Sequence, residues 1–252
     1  MIYDNIKLYS QNVHKNSLIV NTIPETQSSF NIIFIQEPPW LIIQSIPSST
    51  SCKGDALVGV PTHLNWTIFA RSSVCASESS RVITYIHICI SSLCFSLQND
   101  IINHRDLLCI FFFNQESSYF LINVYSDSFQ SASKYLKNTE VNINNILIMT
   151  RNLNIRDRFW DPYFPYYSTH RNFLFDIADS FQLEISKLTE FFPTGYSDNN
   201  QDSNSVLDLV FLQLFLTEFD NYHIYPDWRL TSDHAPITIN ILIFDKHIPT
   251  KK

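Results

Sequence analysis

Glycine is scarce in this chain: Gly54, Gly59 and Gly195 are the only three in 252 residues. The left-handed turns that glycine adopts without steric cost are therefore expected mostly at Asn and Asp. Charge is thin as well. Only 16% of residues are Asp, Glu, Lys or Arg, against 45% hydrophobic and 14% aromatic, which excludes a disordered tail and favours a tightly packed globule. The 17 basic residues are outnumbered by 24 acidic ones, and the formal charge of -7 argues against nonspecific coating of nucleic acid through an extended basic surface, though not against a local basic groove. Long apolar runs are missing too. The longest, Leu107 to Phe113, is too short to span a bilayer and suits a buried strand. The start, Met1 to Lys7, has neither a basic lead nor a long apolar core, so no secretory signal is apparent and an intracellular location is expected. Five cysteines, an odd number without Cys-x-x-Cys spacing, read as reduced thiols. Asn65-Trp66-Thr67 matches a glycosylation acceptor, read as accidental without a signal.

What is present is a series of short β-branched or aromatic runs: Ile32 to Ile35, Val82 to Ile90, Leu107 to Phe113, Tyr119 to Val124, Ile146 to Met149, Val206 to Phe211 and Ile237 to Phe244. Each reads as a strand. Helices are predicted where Phe173, Leu174, Ile177, Ala178 and Phe181 make one apolar stripe, from Phe129 to Val141, and after His14 up to Ile23, where Pro24 should end the helix. Ser45 to Ser51, Ser72 to Ser80 and Asp198 to Asn204 read as loops. Strands too numerous for one small sheet, mixed with helices, predict two stacked sheets flanked by helices in one domain, residues 1–252.

Polar side chains recur at the ends of these runs, where α/β enzymes place chemistry. In chain order they are Gln11-Asn12, Gln36-Glu37, Asn123-Val124-Tyr125, Arg151-Asn152-Leu153-Asn154, Asp208 within Val206 to Phe211, and Ser232-Asp233-His234. Phosphodiester cleavage needs a metal, an activated water and donors that hold the phosphate. Glu37 and Asp233 supply hard carboxylate oxygens suited to Mg²⁺ or Mn²⁺, with Asn12 joining through its amide oxygen or a bound water. His234 would donate to a phosphate oxygen, Asp208 would hold its imidazole in one tautomer, and Tyr125 would hydrogen-bond the phosphate. Arg151, Arg156, Arg158 and Arg229 stand near these residues in sequence and could meet a phosphate backbone.

This series resembles the endonuclease/exonuclease/phosphatase superfamily, and its flanking text is closest to the endonuclease domain of fungal non-LTR retrotransposons. The resemblance spans essentially the whole chain, including Trp160-Asp161-Pro162 and Asp227-Trp228-Arg229-Leu230. It implies a four-layer α/β sandwich of the DNase I type, a divalent metal and a DNA partner, with no membrane and no obligate protein partner. It also implies nuclear location for a working retroelement nuclease, in which a reverse transcriptase would follow. One element departs from the pattern. With Asn154 aligned to the superfamily's second Asn, Arg151 stands where its Gly belongs and Asn152 where its catalytic Asp belongs. An amide cannot serve as a base near neutral pH, so the resemblance implies a nuclease weakened or disabled at this point. Two other readings stay open: a nucleic-acid-binding remnant without turnover, and a phosphatase or phosphodiesterase acting on inositol or lipid phosphates. Asp157, five residues past Asn152, is a poor substitute base.

Overall fold

The fold follows from two β-α-β crossovers whose parallel strands end on one side. In the computed structural model, the residues described are 5–39, 41–45, 56–59, 61–71, 79–90, 94–113, 118–127, 129–138, 143, 145–152, 155–161, 164–186, 192–196, 204–213 and 221–242. Strand β1 (Asn5–Asn12) passes through helix α1 (Ser17–Thr26) to β2 (Ile32–Gln36), and β1 and β2 pair in parallel. After β3 (Leu41–Ser45), β4 (Ala56–Gly59), β5 (Trp66–Phe69), β6 (Val82–His87), β7 (Cys94–Leu97) and β8 (Leu107–Phe113), the arrangement recurs. Strand β9 (Ser118–Tyr125), helix α2 (Ser131–Asn138) and β10 (Ile146–Asn152) form the second parallel pair. Helix α3 (Arg171–Ser180), β11 (Leu183–Ile185), β12 (Asp208–Gln213), β13 (Asn221–Ile224) and β14 (Ile237–Leu242) complete the order.

Two six-stranded mixed sheets result, β13-β14-β1-β2-β6-β5 and β11-β12-β10-β9-β8-β7, with a separate β3-β4 pair. Ile6, Leu8, Ile32 and Phe34 of the first sheet share a core with Leu108, Ile110, Leu121, Ile148 and Val210 of the second. Each fully buried side chain of this kind stabilises the stack by about 1.5–3 kcal/mol. The outer face of the first sheet packs Tyr9, Ile33 and Ile35 on Ile19, Val20 and Ile23 of α1. The outer face of the second packs Ile122, Met149 and Leu209 on α2 and α3 through Leu136, Leu174, Ile177 and Ala178. The order helix, sheet, sheet, helix is the four-layer sandwich expected.

Several expectations need correction. Pro24 does not end α1: it lies within the final turn, where its missing N–H removes one bond to Val20, and the helix closes through Gln27 N donating to Ile23 O at 2.8 Å. The Val82 to Ile90 run ends as a strand at His87, and Ile88–Ile90 turns into a 3₁₀ helix. The left-handed positions also differ. Among the described residues, the non-glycine residues with positive φ are His14, Lys15, Glu37, Gln130, Asn145, Gln182 and Leu230, so Asn appears once and Asp not at all. These residues lie next to elements whose hydrogen bonds fix the chain locally, and that context overrides the intrinsic preference. Ser45 belongs to β3, whereas Ile46 to Ser51, Ser72 to Glu78, Asp198 to Ser203 and Asn154 lie outside the described residues.

Helix α1 is started by Asn16, whose Oδ1 accepts from Leu18 N at 3.0 Å and Ile19 N at 3.2 Å. The same side chain donates to Thr231 Oγ1 at 2.7 Å, tying the helix to the Ser232-Asp233-His234 loop. Asn16→Ala is expected to cost about 0.5–2 kcal/mol, lowering the melting temperature by a few degrees in calorimetry.

Candidate active site

The topology gathers the polar strand ends. Asn12, Glu37, Tyr125 and Asn152 stand at or just past the carboxyl ends of β1, β2, β9 and β10, while β12 and β14 run antiparallel to their neighbours and so begin at the same edge. Asp208 is thereby paired in register with Asn152, and Asn152 with Tyr125.

Beneath that edge a polar ladder joins the two sheets. Gln36 Nε2 donates to Asn123 Oδ1 at 2.7 Å and to Ser10 Oγ at 3.1 Å, and Asn123 Nδ2 donates to Ile83 O at 2.9 Å. All of these residues are buried, so their polar groups depend on one another for hydrogen bonding. Asn123→Leu is expected to leave Gln36 and Ile83 without these partners, at about 1–3 kcal/mol for each group stranded. A lowered urea midpoint would register it.

Glu37 is held from three sides. Its backbone takes the left-handed conformation, φ 49°, kept there by Glu37 N donating to Arg81 O at 2.8 Å and Lys15 N donating to Glu37 O at 2.8 Å. Its Oε2 accepts from Asn12 Nδ2 at 3.1 Å, and its carboxylate bonds to the Tyr125 hydroxyl, which burial and the charge of Glu37 push to a higher pKa. The Asn12 amide oxygen accepts from His14 N at 2.9 Å. Asn12 thus directs its nitrogen at Glu37, orienting that carboxylate.

The Ser232-Asp233-His234 turn is seated on the end of β1. Ser232 Oγ donates to Asn12 O at 2.7 Å and accepts from His234 N at 3.0 Å, while Gln11 Nε2 donates to His234 O at 3.1 Å. His234 Nδ1 lies 2.8 Å from Asp208 Oδ2. Burial lowers the His234 pKa, but Asp208, through its charge and this hydrogen bond, together with Asp233 and Glu37, outweighs burial and raises it. A raised folded value means that the pair's stabilisation is complete below the ordinary histidine range and is lost as pH rises through the folded pKa. The urea midpoint is therefore expected to fall between about pH 6.5 and alkaline pH, and His234→Gln should flatten that portion of the profile.

Asn152 completes the cluster. Its Nδ2 donates to Asp208 Oδ1 at 2.8 Å and lies 3.2 Å from His234 Nδ1. With Nδ1 protonated toward Asp208, both nitrogens are donors. The Asp208 carboxylate then bridges them, one oxygen to each. Thr194 Oγ1 fixes the entry to β12, accepting from both Leu207 N and Asp208 N at 2.8 Å. The buried oxygens Asn152 Oδ1 and Asp233 Oδ1 have no protein hydrogen-bond partner.

Hard oxygen donors and two acceptor atoms unsatisfied by protein fit a divalent cation with its water shell. Among the described residues no group of three or more His, Cys, Asp or Glu that could hold a metal ion is found.

Other residues fall outside the chemistry. Both Asp157 oxygens accept backbone N–H groups, from Phe159 at 2.7 Å and Ser168 at 2.6 Å, so it shapes its loop. Trp160 is buried and donates to Ile155 O at 3.3 Å. Trp228 stacks on Tyr225 at 4.0 Å, and the Arg229 guanidinium lies 4.4 Å from the Tyr196 ring centre. Sequence reasoning gave no role to Gln11, Thr194, Arg81, Asp106 or Asp127. Arg81 and Asp106 each stand one residue ahead of an apolar strand, the signal that would have singled them out.

No protein-family model and no curated protein matches the chain. Solved structures do. The endonuclease domain of TRAS1, a telomere-specific non-LTR retrotransposon, aligns with a TM-score of 0.71 at 13% identity over 95% of this chain and 100% of that one. An AP endonuclease from Leishmania major, LMAP, aligns with a TM-score of 0.66 at 14% identity, over 96% of this chain and 89% of its own. A humanized TDP2 from D. rerio aligns at 0.56 and 12%, over 96% and 100%. The chain shares the DNase I-like fold of these three structures.

Proposed function

We propose that this protein is a retrotransposon-derived, metal-dependent phosphodiesterase of the DNA-nicking type whose turnover is weakened or abolished by Asn152. The observation that carries this reading is the hydrogen-bonded set Asn152, Asp208 and His234 beside the Glu37-Tyr125 pair. These five residues supply groups suited to phosphodiester cleavage, and one of the groups is an amide.

Glu37 and Asp233 are the carboxylates that would hold Mg²⁺ or Mn²⁺, with water or phosphate oxygens completing the shell. When bound, the ion neutralises charge developing on the phosphate. The chain's own residues do the rest. His234, whose pKa Asp208 raises, would in its protonated form donate Nε2–H toward a phosphate oxygen, and Tyr125 would offer its single O–H from the end of β9 only on releasing Glu37. Asp208 fixes the imidazole orientation. The attacking water must give up a proton. Asn152 presents Nδ2 to Asp208 and only a weakly basic oxygen to the site, so it orients that water without deprotonating it. Asn154, which lies outside the described residues, is a catalytic candidate through the resemblance alone.

The fully buried Asn152 favours a second reading, in which metal and DNA binding persist without cleavage. Nicking of supercoiled plasmid and binding of a labelled duplex, both with Mg²⁺ and Mn²⁺, separate the two. Weak nicking removed by Glu37→Ala supports the weakened enzyme, and binding with no nicking supports the remnant. Glu37-dependent nicking unaffected by Asn152→Asp would show that another group acts as base.

A further inference from the structure

We propose that Arg81 is a positioning residue that fixes the Tyr125-Glu37 pair by clamping the two sheets together at the active-site edge. The inference rests on the reading of Glu37 as a metal carboxylate.

Arg81 stands one residue before β6 of the first sheet. Its side chain crosses to the second. The guanidinium forms a two-pronged ion pair with Asp106, which is fully buried, and donates through Nη2 to Asp127 Oδ2 at 2.9 Å. Its flat face lies 4.7 Å from the centre of the Tyr125 ring. Each partner is fastened to an element of the site. Asp106 O accepts from Tyr125 N at 2.9 Å, setting the end of β9. Asp106 Oδ2 also accepts from Ser131 Oγ at 2.7 Å, and Asp127 Oδ1 accepts from Ser131 N at 3.1 Å, at the start of α2. Arg105 and His104 approach the same Asp106 carboxylate at 3.6 and 3.9 Å.

The Arg81 main chain closes the circuit, since its carbonyl accepts from Glu37 N and its own N donates to Arg105 O at 2.7 Å. One residue therefore links β2, β6, the turn before β8, the end of β9 and the first turn of α2. Glu37 sits in a left-handed backbone conformation that is costly for a non-glycine residue, so its aim depends on such external supports.

Only arginine satisfies all three side-chain contacts. A planar fork spans two carboxylates while its face covers an aromatic ring, whereas a lysine ammonium is a point charge. Partners in the outer shell of a metal site typically change metal affinity by about 10–100-fold when altered.

The test compares the wild-type chain with Arg81→Lys, Tyr125→Phe, Glu37→Ala and Asp127→Asn. Two quantities are read: the ring resonances of ¹³C-labelled tyrosine, with Tyr125 assigned by its loss in Tyr125→Phe, and Mn²⁺ affinity from the electron paramagnetic resonance signal of free Mn²⁺. Thermal melts check folding. Arg81→Lys is expected to move the Tyr125 resonance and weaken Mn²⁺ binding by about 10–100-fold in a chain that still melts cooperatively. If Arg81→Lys fails to fold, Asp127→Asn carries the test, because Asn keeps an acceptor for Ser131 N and leaves the Arg81-Asp106 pair intact. An unmoved Tyr125 resonance in the folded variant, or Mn²⁺ affinity unchanged by it while Glu37→Ala loses affinity, overturns the proposal. If Glu37→Ala itself leaves Mn²⁺ affinity unchanged, the metal reading of Glu37 fails, and the Tyr125 resonance alone decides whether Arg81 holds the pair.

Discussion

Asn152→Asp is expected to raise Mg²⁺-dependent plasmid nicking by about 10²–10⁴-fold, the contribution of a positioned general base. The gain should vanish when Glu37→Ala is added. The same exchange has a physical cost. In the natural chain, Asn152 donates to Asp208 Oδ1 at 2.8 Å within a buried cluster. Aspartate there loses that donor and sets two carboxylates within hydrogen-bonding distance, where both cannot ionise freely. Without divalent metal the variant should melt at a lower temperature than the natural chain, and Mg²⁺ should recover part of the loss because it binds the folded state. Both results together would mean that Asn152 stabilises the fold at the expense of chemistry. An Asn152→Asp chain that nicks no faster, in a fold shown intact by its melt, would show that Asn152 does not limit turnover. Arg151→Gly/Asn152→Asp asks whether the neighbouring position also limits the loop.

The second large effect concerns Asp208. Asp208→Ala leaves the imidazole of His234 and the amide of Asn152 buried without their shared acceptor. Breaking a buried pair by removing one partner costs about 3–5 kcal/mol, which urea unfolding would register as a lowered midpoint. His234→Ala in the Asn152→Asp background should be milder for the fold and severe for chemistry. Loss of one phosphate-stabilising donor is expected to lower nicking by about 10²–10³-fold. If His234→Ala nicks as fast as its parent, His234 is a structural partner of Asp208 and the phosphate is held by other groups.

Much of this site was legible because its residues interrupt otherwise apolar runs. Asp208 opens a strand of Leu209, Val210, Phe211 and Leu212, and a carboxylate so placed is costly unless paired. Its partner His234, 26 residues later, is named by the motif series and not by local pattern. The pairing of Arg81 with Asp106 and Asp127, 25 and 46 residues away, could not be read at all. The strands missed by pattern, β1, β3, β4, β5, β7, β11 and β13, are short or polar at alternate positions, and they form because a neighbouring strand offers its edge. Helix α1 runs past Pro24 because a proline in the last turn removes only one intrahelical bond while Ile19, Val20 and Ile23 pack on the sheet.

The sequence by itself determined the alternation of apolar runs and polar ends, the layered α/β class, and the presence of an amide, Asn152, at a point where the resemblance expects a carboxylate. These are local properties, set by side-chain chemistry and by the periods of strand and helix. The tertiary structure decided which groups touch: that Asn12 points its nitrogen at Glu37, that Asp208 bridges Asn152 and His234, and that Arg81 ties one sheet to the other. Strand order and direction bring residues from six distant segments to one edge. Burial there leaves each polar group dependent on a partner that only the folded chain supplies.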